Sequence, residues 1–196
     1  MEDKVQRAKR HTLQGLFVSG LGLFSAGNPA TAQTLGRSKQ LVAYLSRSGN
    51  TRVVAESLSR NYGADLFEIR TAEPYPAEYE AHVELARRQR DAEAAPRLAD
   101  RVPDMTGYET VFLGFPIWGE ALPAPIRTFA ATHDLAGKIL APFITHGGYG
   151  PGSAPETLAA IASDAQILEP FVQECDAERD TLRQMSAWLQ DLNQAN

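Results

Sequence analysis

Leu41-Val42-Ala43-Tyr44-Leu45-Ser46-Arg47-Ser48-Gly49-Asn50-Thr51-Arg52-Val53-Val54-Ala55-Glu56 passes, in sixteen residues, from an apolar run through a hydroxyl-rich loop into helix-like sequence. Four of the six residues from Ser46 to Thr51 carry a hydroxyl or amide side chain, and Gly49 lets the backbone turn inward. Two readings fit. Unpaired N–H groups in a first helical turn, the helix dipole and nearby hydroxyls together suit a phosphate. Ser, Asn and Thr are also the ordinary residues of a helix N-cap. The six residues alone leave both open.

Outward from this stretch, apolar runs alternate with helix-period segments. The runs Leu41 to Leu45, Ala64 to Ile69, Thr110 to Phe115, Ile139 to Thr145 and Gln166 to Val172 suit strands of a parallel sheet covered on both faces. Helical patterns fall at Thr51 to Asn61, Ala77 to Ala94, Pro125 to Thr132, Pro155 to Ala162 and Ala177 to Leu192. Val54, Leu58 and Tyr62 can face a sheet together, as can Leu182, Met185 and Leu189. The alternation predicts right-handed crossovers and a doubly wound sheet of about five strands.

In such sheets ligands bind beyond the carboxyl ends of the strands, where the strand order reverses. That singles out two more loops. Gly114-Phe115-Pro116-Ile117-Trp118-Gly119-Glu120 follows the third run and offers a flat aromatic at a cleft rim; a Trp packed within the loop is the competing reading. Thr145-His146-Gly147-Gly148-Tyr149-Gly150-Pro151-Gly152-Ser153 follows the fourth, and four glycines in six positions permit close backbone approach to a ligand; a mobile linker is the alternative.

The 196 residues, 43% hydrophobic, suit one domain of roughly 150 residues with an extra segment at the front. Residues 1–32 carry Lys4, Arg7, Lys9 and Arg10, an uncharged apolar run from Leu13 to Gly27, and Ala30-Thr31-Ala32, the layout of an export signal too short to span a membrane. Lys9-Arg10-His11-Thr12-Leu13-Gln14 resembles the twin-arginine translocation motif, with Lys in the first arginine position. It implies export of a folded protein, to the periplasm. Residues 33–39 then form a linker and 40–196 the mature domain. Removing four basic and two acidic residues with the signal would leave 15 Lys and Arg against 22 Asp and Glu, a net of −7. Such a chain is ill suited to nucleic acid or anionic membrane surfaces. A basic protein partner remains compatible with it.

One cysteine, Cys175, excludes an intrachain disulfide and multi-cysteine metal sites, and the four histidines show no metal-ligand spacing. Cys175 reads as a small, partly buried residue rather than a reactive thiol. Trp188 fits the apolar stripe of the last helical segment. Glu73-Pro74-Tyr75-Pro76-Ala77-Glu78-Tyr79 reads as an irregular connection leading to a helix beside the cleft, and Arg87, Arg88 and Arg90 on that helix as a solvated face.

Together the hydroxyl-rich loop, the Trp loop and the Gly-rich loop resemble the flavodoxin family, over residues 40 to 192, and in particular the branch carrying Pro-Ile-Trp and Thr-His-Gly-Gly. The resemblance implies strand order 2-1-3-4-5 and non-covalent FMN at the switch between the first and third strands. It further implies that Ser46, Ser48, Gly49, Asn50 and Thr51 hold the phosphate, with Arg47 at the variable position. Pro116, Ile117, Trp118 and Gly119 would line the isoalloxazine, Trp118 stacking on it. His146, Gly147, Gly148, Tyr149 and Gly150 would close the other side, His146 orienting backbone rather than moving protons. Gly119 stands where several relatives carry a second Trp.

The expected function is that of an FMN-binding redox protein carrying electrons between protein partners or to a small-molecule acceptor, with no catalytic side chain required. The alternative is an FMN-dependent NAD(P)H:quinone or nitro-compound oxidoreductase. A receiver-type signalling domain of the same topology would need an acidic cluster at the strand ends, and the first run instead ends Leu45-Ser46.

Overall fold

The run Gln40–Tyr44 forms β1 and is buried along its whole length, with parallel neighbours on both sides. Side chains alternate across the sheet with a period of two. Leu41, Ala43 and Leu45 accordingly enter one core cluster, and Val42 and Tyr44 the other. The computed structural model describes residues 39–175. Residues 1–32, most of the linker, and the last helical segment with Leu182, Met185, Trp188 and Leu189 lie outside the described residues.

The other strands are β2 (Asp65–Glu68), β3 (Thr110–Pro116), β4 (Ile139–His146), β5 (Gln166–Ile167) and β6 (Phe171–Glu174). The helices are α1 (Asn50–Tyr62), α2 (Tyr79–Asp91), α3 (Ala124–Thr132) and α4 (Ala154–Ile161). All strand pairings are parallel, in the order β2-β1-β3-β4-β5, with β6 also on β4. The sheet is therefore the doubly wound one expected, order 2-1-3-4-5, flanked by helices.

Two strands differ from the sequence reading. The fifth run, expected as one strand from Gln166 to Val172, is broken into β5 and β6 around Leu168-Glu169-Pro170. Leu168 N–H still reaches the Leu140 carbonyl at 2.8 Å, whereas Pro170 has no N–H to donate to the ladder. The chain then rejoins β4 at Phe143 and continues to Glu174. The second run is not covered on both faces: β2 is the edge strand, and Asp65 and Leu66 are exposed. Asp65 there accepts from the Tyr108 hydroxyl at 2.6 Å and pairs with Lys39 at 3.2 Å; these partners hold its carboxyl below the usual range.

On one face Ile126 and Phe129 of α3 and Leu158 of α4 meet Leu41, Leu113, Leu140 and Ile144. On the other, Ala55 of α1 packs with Val42, Tyr44, Phe112 and Phe143, joined by the partly buried Val54 and Leu58. Tyr62 shares that stripe but is half exposed, its ring 5.3 Å from that of Phe112. Helix α2 behaves differently. Its one buried residue is His82, and it rests at the mouth formed by the strand ends rather than on the sheet.

Candidate functional site

β1 hands over to its loop through Leu45, whose N–H reaches the Gly114 carbonyl on β3 at 2.9 Å. Gly49 then adopts φ +96°, a left-handed conformation that side-chain-bearing residues rarely hold, and becomes the N-cap of α1. With no side chain it offers no cap, and the first turn of α1 contains no acidic residue, so the positive end of this helix is not neutralised locally. The Ser46 hydroxyl oxygen accepts from the N–H groups of Gly49 at 3.2 Å and Arg52 at 3.3 Å, which folds the loop back on the start of α1. Asn50 donates through Nδ2 to the Cys175 carbonyl at 3.1 Å, tying this loop to the end of β6. Arg47 is exposed, its guanidinium 5.0 Å from the centre of the Tyr79 ring.

The Trp loop is pinned on both sides. Ile117 N–H donates to the Thr145 carbonyl at 2.9 Å, and the Glu120 carbonyl accepts from Ser153 N–H at 3.0 Å. Glu120 has φ +60°, a strained conformation outside glycine, held where the Trp and Gly-rich loops meet. Gly152 allows the meeting: a Cβ there would lie 2.1 Å from the Glu120 carbonyl oxygen. Within the Gly-rich loop, His146 Nδ1 accepts from Gly148 N–H at 3.1 Å and Gly150 N–H at 3.2 Å. A nitrogen that accepts two bonds carries no proton, so His146 orders the backbone. Tyr149 stands 76% exposed at the tip.

All three loops open on one cleft of about 330 Å³, within the range of small-molecule sites. It gathers Arg47, Ser48, Asn50, Pro116, Ile117, Trp118, Gly119, His146 and Gly147 of the expected residues. Ser46 borders a second cavity, of about 780 Å³, that lies across Trp118 and His82 from the first. Gly49, Thr51, Gly148, Tyr149 and Gly150 line neither. The larger cavity touches the phosphate loop and Trp118 but not the Gly-rich loop, so the smaller one is where the strand ends converge. Thr51 is 1% exposed, its hydroxyl 2.9 Å from that of Thr145 on β4.

One wall is the helix expected beside the cleft, but the residues by which it lines the cleft were not among those expected. Tyr79, His82, Val83, Ala86, Arg87 and Arg90 follow i, i+3, i+4, i+7, i+8, i+11 spacing and present one face of α2 to the cleft. That period was available in the sequence, obscured because the stripe mixes apolar and basic residues. The helix is fixed by Glu78, which accepts from Glu80 N–H at 2.9 Å and Ala81 N–H at 2.6 Å. Those N–H groups, and Arg47 nearby, hold the Glu78 carboxyl below its usual range. Tyr79 and Val83 stay 57% and 41% exposed, an apolar surface at the cleft that packing has not covered. Arg87 and Arg90 are solvated and paired, with Glu84 and Asp91, but they also border the cleft. Arg90 reaches further, donating to the Gly119 carbonyl at 3.1 Å.

Trp118 is partly buried, in an aromatic cluster with Tyr75 at 5.0 Å and His82 edge-on at 4.5 Å. It is thus both a cleft-lining ring and a packed one. The Tyr75 hydroxyl bonds Gln89, and burial pushes its pKa up to about 12, making it a weaker acid. Cys175 is partly buried beside the cleft, and burial raises its thiol above the ordinary range. Among the described residues no group of His, Cys, Asp and Glu could hold a metal ion, and no helix is long and apolar enough to cross a membrane.

The sequence profile of the flavodoxin family matches residues 39–192. No curated protein matches the chain. Among solved structures, a candidate flavoprotein from Bacteroides eggerthii DSM 20697 is 30% identical, with TM-score 0.62, over 78% of this chain and 96% of that one. Another candidate flavoprotein, from Bacteroides uniformis ATCC 8492, is 26% identical with TM-score 0.63, over 76% and 98%. A flavoprotein from Lactobacillus acidophilus NCFM, solved in complex with FMN, shares the fold at 22% identity and TM-score 0.61, over 74% and 97%. Strand order, the three loops at the strand ends and a profile match over the whole described domain agree: the chain belongs to the flavodoxin family.

Proposed function

We propose that this chain is an FMN-binding electron carrier. The observation that carries the reading is the convergence, on one cleft, of a helix N-terminus free of acidic residues, a Trp loop and a Gly-rich loop. The residues present fit the group. Backbone N–H groups of the Ser46–Thr51 loop and the Ser48 hydroxyl would hold the phosphate, with Arg47 adding positive charge at the mouth. Trp118 and the exposed Tyr79 and Val83 supply apolar surface that a flat ring system would cover. Bound FMN supplies one- and two-electron redox chemistry, and the protein tunes it through stacking, hydrogen bonds and nearby charge.

A second reading, an FMN-dependent NAD(P)H oxidoreductase acting on a quinone or nitro compound, has one observation in its favour. Among the described residues the cleft is bordered by Arg47, Arg87 and Arg90 and by no carboxylate, in a chain of net charge −5. Such a mouth suits the phosphates of a dinucleotide as well as an acidic redox partner. Anaerobic addition of NADH or NADPH to the FMN-loaded protein separates the two: the carrier reading expects no flavin bleaching within minutes, and rapid bleaching would refute it. A protein that binds no FMN, as isolated or after addition, would refute both. Residues 1–32 support, as part of the same proposal, export to the periplasm by the twin-arginine route with the cofactor already in place.

A further inference from the structure

Two residues in succession, Gly119 and Glu120, hold φ +60°, and the chain doubles back between Trp118 and Ala121, whose backbones pair. Such a turn suits a glycine but not a glutamate, and a residue strained in this way persists only where its surroundings hold it. Both carbonyls of the turn are held from outside it. That of Glu120 accepts from Ser153 N–H in the Gly-rich loop at 3.0 Å, and that of Gly119 from Arg90 Nη1 on α2 at 3.1 Å. The absence of a side chain at Gly119 makes room for the second contact: a Cβ there would lie 2.6 Å from Nη1.

Arg90 differs in this from its neighbours on the helix. Arg87 and Arg88 pair with Glu84, and Arg87 also with Asp91, all within α2. The guanidinium of Arg90 is divided between two partners. Nε at 3.0 Å and Nη2 at 2.9 Å engage the Asp91 carboxylate, which fixes the plane of the group and leaves Nη1 to cross to the Trp loop. The end of α2 that carries it is itself anchored. Arg127 of α3 donates to the carbonyls of Gln89 at 3.3 Å and Ala94 at 3.0 Å, and the Tyr75 hydroxyl bonds the Gln89 side chain. The helix is thus the fixed partner, and the turn that follows Trp118 is the one held. Arg90, Trp118 and Gly119 all line the smaller cleft.

We propose that Arg90 is a positioning residue of the cleft, a clasp from α2 to the Gly119 carbonyl that holds the Trp loop where Trp118 can stack on a flat bound ring. This role rests on the flavin reading above. The test compares the parent with Arg90→Met, which keeps the stem and removes the donors, and Arg90→Lys, which keeps the charge and a donor. Three readouts are taken: amide hydrogen exchange of the apoproteins at Trp118, whose N–H meets the Ala121 carbonyl at 3.4 Å; FMN affinity by fluorescence titration; and the residual emission of FMN at saturation, which a stacked indole quenches. The contact is exposed, so Arg90→Met should bind FMN only about three- to fivefold more weakly. Its Trp118 amide should exchange faster and its bound FMN emit more strongly, while the melting temperature moves by no more than about 2 °C. Arg90→Lys should recover most of each loss. Parental exchange at Trp118 in Arg90→Met would overturn the proposal, even with FMN bound more weakly, since the arginine would then act on the phosphate by charge and not on the loop. Parental residual emission in Arg90→Met, or Arg90→Lys faring no better than Arg90→Met, would overturn it too. A parent that binds no FMN would instead overturn the flavin reading, and with it the purpose proposed for the clasp.

Discussion

Replacing Thr51 by valine tests how the phosphate loop is anchored. The Thr51 hydroxyl lies 2.9 Å from that of Thr145, and the two residues are 1% and 3% exposed, so neither hydroxyl has water to turn to. Thr51→Val removes one partner at almost constant shape and strands the other, at a cost of about 1–3 kcal/mol. For a chain of this size that lowers the melting temperature by roughly 2–4 °C per kcal/mol. The double variant Thr51→Val with Thr145→Val removes both hydroxyls, and its loss should fall short of the summed single losses by about 1 kcal/mol or more. Urea denaturation of the four proteins gives the cycle. FMN titration of each should show affinities within about threefold of the parent, since backbone N–H groups and Ser48 carry the phosphate contact in this reading. A Thr51→Val protein as stable as the parent but binding FMN at least about tenfold more weakly would refute the reasoning. It would place the hydroxyl on the ligand rather than on β4.

Acidification should destabilise the fold. Burial holds the His82 and His133 imidazoles below their ordinary 6.5, so between that value and the lower folded values the unfolded chain binds more protons. The stability these groups contribute is complete above 6.5 and is lost as pH falls through their folded values; urea midpoints that do not drop between pH 7.5 and 5 would contradict this. His146→Leu removes the acceptor shared by Gly148 and Gly150 N–H, and hydrogen exchange at both amides should accelerate, with FMN bound several-fold more weakly. Unchanged exchange at both positions would show that the loop does not depend on this imidazole.

Much of the fold was legible because its signals are local. Leu41 to Leu45 is apolar at every position, as a strand covered on both faces must be, and Gly49-Asn50-Thr51 marks the start of α1. The three loops followed from topology, since parallel strands joined by right-handed crossovers put every strand end on one side. The interruption of the fifth strand was also visible in principle, as Pro170 stands inside the run and cannot donate to a ladder. Helix α2 was placed beside the cleft, but its arginines were read as solvent-facing only. Polarity alone does not distinguish a charged residue bordering a cleft from one on an open face.

By itself, then, the sequence determined the layered α/β architecture, the order of elements and the loops that gather at the strand ends, because each depends on periodicity and turn chemistry within a short window. Only the tertiary structure decided which groups meet. Thr51 finds Thr145 across 94 residues, and Asn50 reaches the Cys175 carbonyl across 125. His82 is buried against Trp118 without a partner for Nε2, while His133, similarly buried, has both nitrogens engaged. Hydrogen bonds reach only about 3 Å. Whether a buried polar atom is satisfied therefore depends on how distant segments pack, which no single stretch of the chain contains.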